Sequence, residues 1–313
     1  MSELVRVFMA ARTKLMQQQL FDAVGRPAVI DGKIVRRRQP PARKRRRTPG
    51  VKLGRPPKGA RAGAPHKQRP ELKRRFPVHV VLRVVEAIGS MRKWHMYKAL
   101  REATISVAKR ELNAASEGAF RIVHISVQRN HVHLLVEADH KVALSRGMQS
   151  FQISAAKHLN RVVSLERMRV ARWRAGAAGR TGAAGRAYAD AMAQRRRGTV
   201  FPDRFHQEII TTPKQARHTL AYVLNNWRKH REDGAGKART WKIDPFSTGV
   251  LFDGWREREH ADAYMRYRDE YDPLVVYLPK TWLLYEGWRK HGLIGFDFVP
   301  SAKEMARVFD RAA

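Results

Sequence analysis

The 313-residue sequence predicts an α+β domain built on an antiparallel sheet. Three observations carry that prediction. Four β-branched runs alternate with stretches of helical period, which gives the order β-α-β-β-α-β-α. Two of the runs are separated by only Arg129-Asn130, a link long enough for a hairpin and too short for a parallel crossover. A hydrophobic content of 43% is enough for a real core in one or two domains.

The first strand is "PVHVVLRVV" (77–85), and "MYKALREATISVAKREL" (96–112) follows with the spacing of a helix. "FRIVHISVQ" (120–128) is the second strand, turning at Arg129-Asn130 into a third that opens with His131. In "VALSRGMQSFQISAAKHLNRVV" (142–163), Leu144, Met148, Phe151, Ala155, Leu159 and Val162 share one helical stripe; Arg146, Lys157 and Arg161 lie off it. Residues 166–198 are rich in Gly, Ala and Arg and read as a mobile basic insertion. The fourth strand, "HQEIITT" (206–212), leads through Pro213, a natural first-turn residue, into the helix "KQARHTLAYVLNNWRKHRE". This order is the ferredoxin-like β-α-β-β-α-β unit with one helix added at its C-terminal side.

The flanks differ in texture, so the chain divides into an arm (1–75), a central α+β domain (76–235) and an extension (236–313). Residues 36–75 hold 17 Lys+Arg, one acid and seven of the 15 prolines, and are expected to be a disordered basic arm. Within it Gly54-Arg55-Pro56 is like the core of an AT-hook, an extended Arg-Pro unit for a narrow minor groove; a plain polycationic linker is the competing reading. The extension carries Tyr264, Tyr267, Tyr271, Tyr277, Trp282, Tyr285 and Trp288 and is expected to be mainly helical, its aromatics either stacking on bases or forming a small core.

A net charge of +35, from 63 Lys+Arg against 28 Asp+Glu, predicts a polyanionic partner, nucleic acid first. No run approaches the roughly 18 apolar residues of a spanning helix, so no membrane role is expected. The start is not a convincing signal peptide, because Arg6, Arg12 and Lys14 interrupt its apolar stretch. With no cysteine there is neither a disulfide framework nor a thiolate zinc site, which fits a reducing compartment, and with the basic charge the expected setting is the cytoplasm, beside nucleic acid. Candidate phosphate contacts are Arg36, Arg37, Arg38, Arg43, Lys44, Arg45, Arg46, Arg47 and Arg55 in the arm, with Arg146, Lys157 and Arg161 in the second helix.

The chemistry is concentrated in "NHVHLLV". A period of two places His131 and His133 on one face of a strand whose apolar neighbours cover both sides, where two neutral imidazoles can share a divalent cation. On the last helix, Ala216, Leu220, Val223, Leu224 and Trp227 form the apolar stripe, while Tyr222 and Asn226 stack one turn apart on the other side. Two histidines, an amide oxygen and a phenol make a coherent phosphoryl-transfer site; a packed histidine pair and a solvated tyrosine are the plainer alternative.

"NHVHLLV" resembles the HUH motif, and "HTLAYVLNNW" looks like the tyrosine helix of HUH single-strand transposases, in particular the REP-associated tyrosine transposases. That family's helix usually has Pro where this chain has Trp227. "VFPDRFHQEIITT" and "DPFSTGVLFDGW" also resemble family landmarks, so the similarity spans about residues 72–258. The resemblance implies a ferredoxin-like catalytic fold, Mg²⁺ or Mn²⁺ held by His131, His133 and Asn226, Tyr222 as nucleophile, and single-stranded or hairpin DNA as substrate. It leaves monomer and homodimer equally open. Two other functions remain: a non-catalytic DNA-binding or repressor protein on the same fold, for which Trp227 is the argument, and an HUH nuclease of the replication-initiator or relaxase kind.

Overall fold

The structure, a computed structural model, describes residues 29–30, 33–34, 69–112, 119–178, 196–234, 241–257 and 271–310. The chain divides into two compact units, Met1–Pro65 and His66–Ala313. In the first, strands β1 (Val29–Ile30) and β2 (Lys33–Ile34) pair antiparallel. The cationic residues Arg36 to Arg55 of the arm lie outside the described residues, as do Tyr264 and Tyr267.

The second unit holds a four-stranded sheet of β3 (Val78–Arg83), β4 (Phe120–Val127), β5 (His131–Ala138) and β6 (His206–Ile209) in the order β4-β5-β3-β6, with every pairing antiparallel. This is the strand order expected of the ferredoxin-like unit. Alternation along the strands separates two faces. Val78, Val80, Leu82, Val132, Leu134 and Val136 point to one core, shared with helices α1 (Trp94–Leu112) and α2 (Lys141–Ala178). Leu135 and Val123 point to the other, shared with α3 (Pro213–Lys229). Gly147 lets α2 pass close over β4, because a Cβ there would fall inside the Phe120 ring.

Helix α3 begins where the sequence places it. Thr212 and Gln215 form a reciprocal capping box: the Thr212 hydroxyl accepts from Gln215 N at 3.2 Å, and Gln215 Oε1 accepts from Thr212 N at 3.1 Å. Pro213 occupies the first turn, where its missing N–H costs nothing.

Three expectations need correction. Residues 69–75, read as the end of a disordered arm, are packed on the domain: Leu72 is buried in the core, and the Arg69 guanidinium donates to Gln207 Oε1 at 2.8 Å and Phe205 O at 3.0 Å. Apolar burial and those bonds offset the ordering entropy that composition alone left uncompensated. Helix α2 continues through residues 166–178 of the segment read as a mobile insertion, in keeping with the helix propensity of its Ala and Arg residues; residues 179–195 lie outside the described ones. The extension is not mainly helical: among the described residues its α-helices are α4 (Trp282–Tyr285) and α5 (Ala302–Asp310), joined by irregular chain and 3-10 turns. Its Trp255, Leu283, Leu284, Trp288, Ile294 and Phe296 pack with α3 into the second core, so it completes the domain and is not an appendage. Among the described residues its aromatics take separate places: Tyr271 packs against Trp94 and Tyr97, Trp288 enters the second core, and Trp282 and Tyr285 are exposed on α4.

Burial on that side also makes the fold acid-sensitive. His124, fully buried beside Thr248 (Nδ1 to Oγ1 3.1 Å), is pushed down by burial to about 4. The unfolded chain takes up a proton near pH 6.5, before the folded chain does. Neutral His124 therefore contributes its full stability above about pH 6.5 and loses roughly 3 kcal/mol of it as pH falls toward 4. Urea unfolding should show that loss between pH 7 and pH 4.5, and His124→Gln should flatten the pH dependence. An unchanged slope in the variant would assign the acid sensitivity to other histidines.

Candidate active site

His131 and His133 share the β5 face that looks toward α3, their rings 4.7 Å apart between centroids. The β3–β5 register sets Arg83 opposite His131 and Val81 opposite His133. His79, two residues before Val81 and so on the same face, thus comes diagonally next to His133. Its Nε2 is 3.0 Å from His133 Nδ1, and the two rings stack. Beyond it, His79 Nδ1 is 3.6 Å from the Glu208 carboxylate on β6, and Glu208 is also 3.5 Å from His206.

From the other side, α3 lays Tyr222, Asn226 and His230 along one line at successive turns. The Tyr222 ring meets His133 edge-on at 5.4 Å and His79 at 6.0 Å. The His230 ring meets His131 at 5.1 Å. Asn226, between them on the helix and fully buried, is therefore aimed at the histidine pair. Lys229 folds back over Tyr222, its ammonium donating to the phenol oxygen at 3.2 Å.

The electrostatics favour neutral imidazoles. Burial pushes His131 down to about 4, helped by the adjacent His230, Arg83 and Lys229. His133 is held well below the ordinary histidine range by burial first and by His79 and His131 next. Both therefore carry lone pairs at neutral pH. His131 Nδ1 donates to Asn130 Oδ1 at 2.8 Å, which leaves Nε2 as its acceptor atom. The Glu208 carboxyl is held below its usual range, mostly by contact with His79.

A cation is suited to this pocket. His133 Nε2 and both amide atoms of Asn226 are buried and have no hydrogen-bond partner among the described residues. Such groups are costly when left alone, and a divalent ion answers two nitrogens and an amide oxygen at once. Among the described residues no group of three His, Asp or Glu side chains is placed to hold a metal, and the Asn226 amide is the further donor that the pocket offers beside the two histidines.

His131, His133, Tyr222 and Asn226 are brought together as the sequence suggested. Trp227 does not displace the helix: α3 runs unbroken to Lys229, with Trp227 fully buried, and this continuity carries Lys229 and His230 to the site. Arg146, Lys157 and Arg161 are exposed on α2, across the sheet from the histidines, and so are not part of the pocket. His79, Glu208, Lys229 and His230 were missed. Two of them had a signal: a histidine inside a β-branched run, and a lysine seven residues, two helical turns, after Tyr222.

Residues 76–176 match the family described as "Transposase IS200 like". That stretch holds both motif histidines and ends before Tyr222 and Asn226. The chain is also similar to a solved structure described as "Structure of the REP associates tyrosine transposase bound to a REP hairpin", at 15% identity and a TM-score of 0.36 over 69% of this chain and 99% of that one. No curated protein matches the chain. Among the described residues no helix is long and apolar enough to cross a membrane.

Proposed function

Taking residues 76–176 as an IS200-like transposase domain, we propose that the protein cuts and rejoins single-stranded DNA beside a hairpin, with Tyr222 as nucleophile. The observation that carries this reading is the alignment of Tyr222, Asn226 and His230 on α3 against His131 and His133, with the Lys229 ammonium on the phenol oxygen.

His131 Nε2, His133 Nε2 and Asn226 Oδ1 would hold Mg²⁺ or Mn²⁺, which when bound draws charge off a phosphate oxygen and orients the phosphate. The Tyr222 oxygen attacks phosphorus in line. A phosphorus–phenol bond forms, the bond to the 3′ oxygen breaks, the phenol gives up its proton and the 3′ oxygen takes one up. The product is a 5′-phosphotyrosine with a free 3′-hydroxyl. A second 3′-hydroxyl reverses the step and joins strands, with no external energy source. Lys229 stabilises the charge that the phenol oxygen carries as it attacks and as it leaves. A charge-assisted hydrogen bond of this kind is worth about 1.5–3 kcal/mol. Lys229→Met should therefore slow adduct formation about 10- to 150-fold in single-turnover gels without changing hairpin affinity. An unchanged rate would remove Lys229 from the chemistry.

Affinity is expected to come mostly from phosphate contacts by the basic arm and by Arg146, Lys157 and Arg161, on the far side of the sheet from the cut. Deleting residues 36–68, which spares the packed Arg69 and Leu72, should weaken binding and flatten its salt dependence; unchanged affinity and slope would make the arm irrelevant to DNA.

The deciding experiment incubates the protein with labelled single-stranded oligonucleotides from the DNA flanking its own gene, with Mg²⁺ or Mn²⁺, on a denaturing gel. A metal-dependent, SDS-resistant adduct supports the transposase. Binding without an adduct, for both strands and both metals, would leave a DNA-binding protein that no longer cuts.

A further inference from the structure

The polar face of the sheet does not stop at the two motif histidines. Register pairs His79 directly with Glu208 across β3–β6 and sets it diagonal to His133 across β3–β5, so a carboxylate and two imidazoles form one row. His79 is 4% exposed, and His133 is 3% exposed. A buried row of this kind fixes where each proton sits. Carboxylate oxygens only accept, so the side of His79 suited to carry its proton is Nδ1, which faces Glu208 at 3.6 Å, an electrostatic contact just beyond hydrogen-bond length. His79 Nε2 is then an acceptor, and its neighbour at 3.0 Å, His133 Nδ1, must be the donor. A proton on His133 Nδ1 leaves its Nε2 as a bare lone pair, and that nitrogen, like His79 Nδ1, is buried with no hydrogen-bond partner among the described residues.

We propose that His79 and Glu208 are positioning residues for the metal site: Glu208 orients His79, and His79 holds His133 in the tautomer and ring orientation that presents Nε2 as a ligand. The proposal rests on the metal reading given above. Partners that orient a ligating histidine typically account for 10- to 100-fold in metal affinity. Glu208 can do this from the edge strand because His79 transmits its polarity inward.

Two measurements test it on the full-length protein. In the metal-free state, ¹⁵N chemical shifts of histidine-labelled protein should show His133 protonated on Nδ1. Glu208→Gln, whose amide can donate to His79, should move that proton toward Nε2. By calorimetry with Mn²⁺, Glu208→Gln and His79→Phe should each bind about 10- to 100-fold more weakly than wild type, and the double variant no more weakly than the worse single. His131→Ala, the reference, should lose binding. Glu208 is half-buried on a strand at the sheet edge, so its isosteric Gln variant keeps the test valid if His79→Phe fails to fold. Wild-type His133 carrying its proton on Nε2 would overturn the proposal. So would Glu208→Gln binding Mn²⁺ as wild type does while His131→Ala does not, an outcome that leaves the metal site standing. A wild-type protein that binds no Mn²⁺ would remove the metal reading and the positioning role together.

Discussion

Tyr222→Phe should form no covalent adduct with DNA while binding a hairpin within about twofold of wild type. The variant deletes one oxygen, whose hydrogen bond in the structure is to the exposed Lys229. The ring itself is what packs against His133 and His79, and a phenylalanine keeps those edge contacts. Losing a partly exposed, singly bonded hydroxyl costs stability at most about 1 kcal/mol. The chemistry has no substitute within reach, because a histidine attacking in its place would have to give up the lone pair it offers elsewhere. Total loss of adduct with intact binding is thus the signature of a nucleophile. If binding fell in parallel with adduct formation, Tyr222 would be a packing residue of α3. If adduct persisted, another residue would be the attacking group, and the tyrosines at 264 and 267 would be tested next.

The largest effect on stability is expected at Glu137, far from any chemistry. Its carboxylate is fully buried at the end of β5 and gathers Arg121 from β4 with the chain entering α4. It accepts from Arg121 Nε and Nη2 at 3.1 and 3.0 Å, from Thr281 N and Oγ1 at 2.8 Å each, and from Lys280 N at 3.0 Å. Glu137→Ala takes the carboxylate away from the buried Arg121 guanidinium and from two backbone donors, and should cost about 3–5 kcal/mol in urea unfolding. Against a total of about 5–15 kcal/mol, that is enough to loosen the whole extension from α3. Glu137→Gln, which keeps one acceptor oxygen, should cost less. An alanine variant with an unchanged midpoint would mean that the extension is held by its apolar contacts and hydrogen bonds to α3 without help from Glu137.

How the site was legible differs from residue to residue. His131 and His133 were visible because a strand's period is two, and a polar pair inside an apolar run is conspicuous at that spacing. Tyr222 and Asn226 were visible because helical spacing puts them together and off the apolar stripe. His79 also stood in a β-branched run, but nothing local says that β3 lies next to β5, since strand order is set by pairings between segments over 50 residues apart. Glu208 was hidden for the same reason. The extension misled in the opposite way: its aromatics recur at near-helical intervals, yet among the described residues Tyr271 packs against the first core and Trp288 against the second, while Trp282 and Tyr285 stay exposed.

By itself, then, the sequence determined what local chemistry and periodicity can encode: four strands and three main helices in ferredoxin-like order, an intensely basic chain, the histidine pair, and the tyrosine one turn from an asparagine. Only the tertiary structure decided that α3 crosses the face bearing both histidines. It also decided that Lys229 and His230 arrive on the same side, that Glu208 and His79 line up behind His133, and that the cations of α2 fall on the opposite face. The physical reason is that period fixes which way a side chain points from its own element. Which element it then meets depends on the sheet register and the burial of the two cores, and these are properties of the whole folded chain.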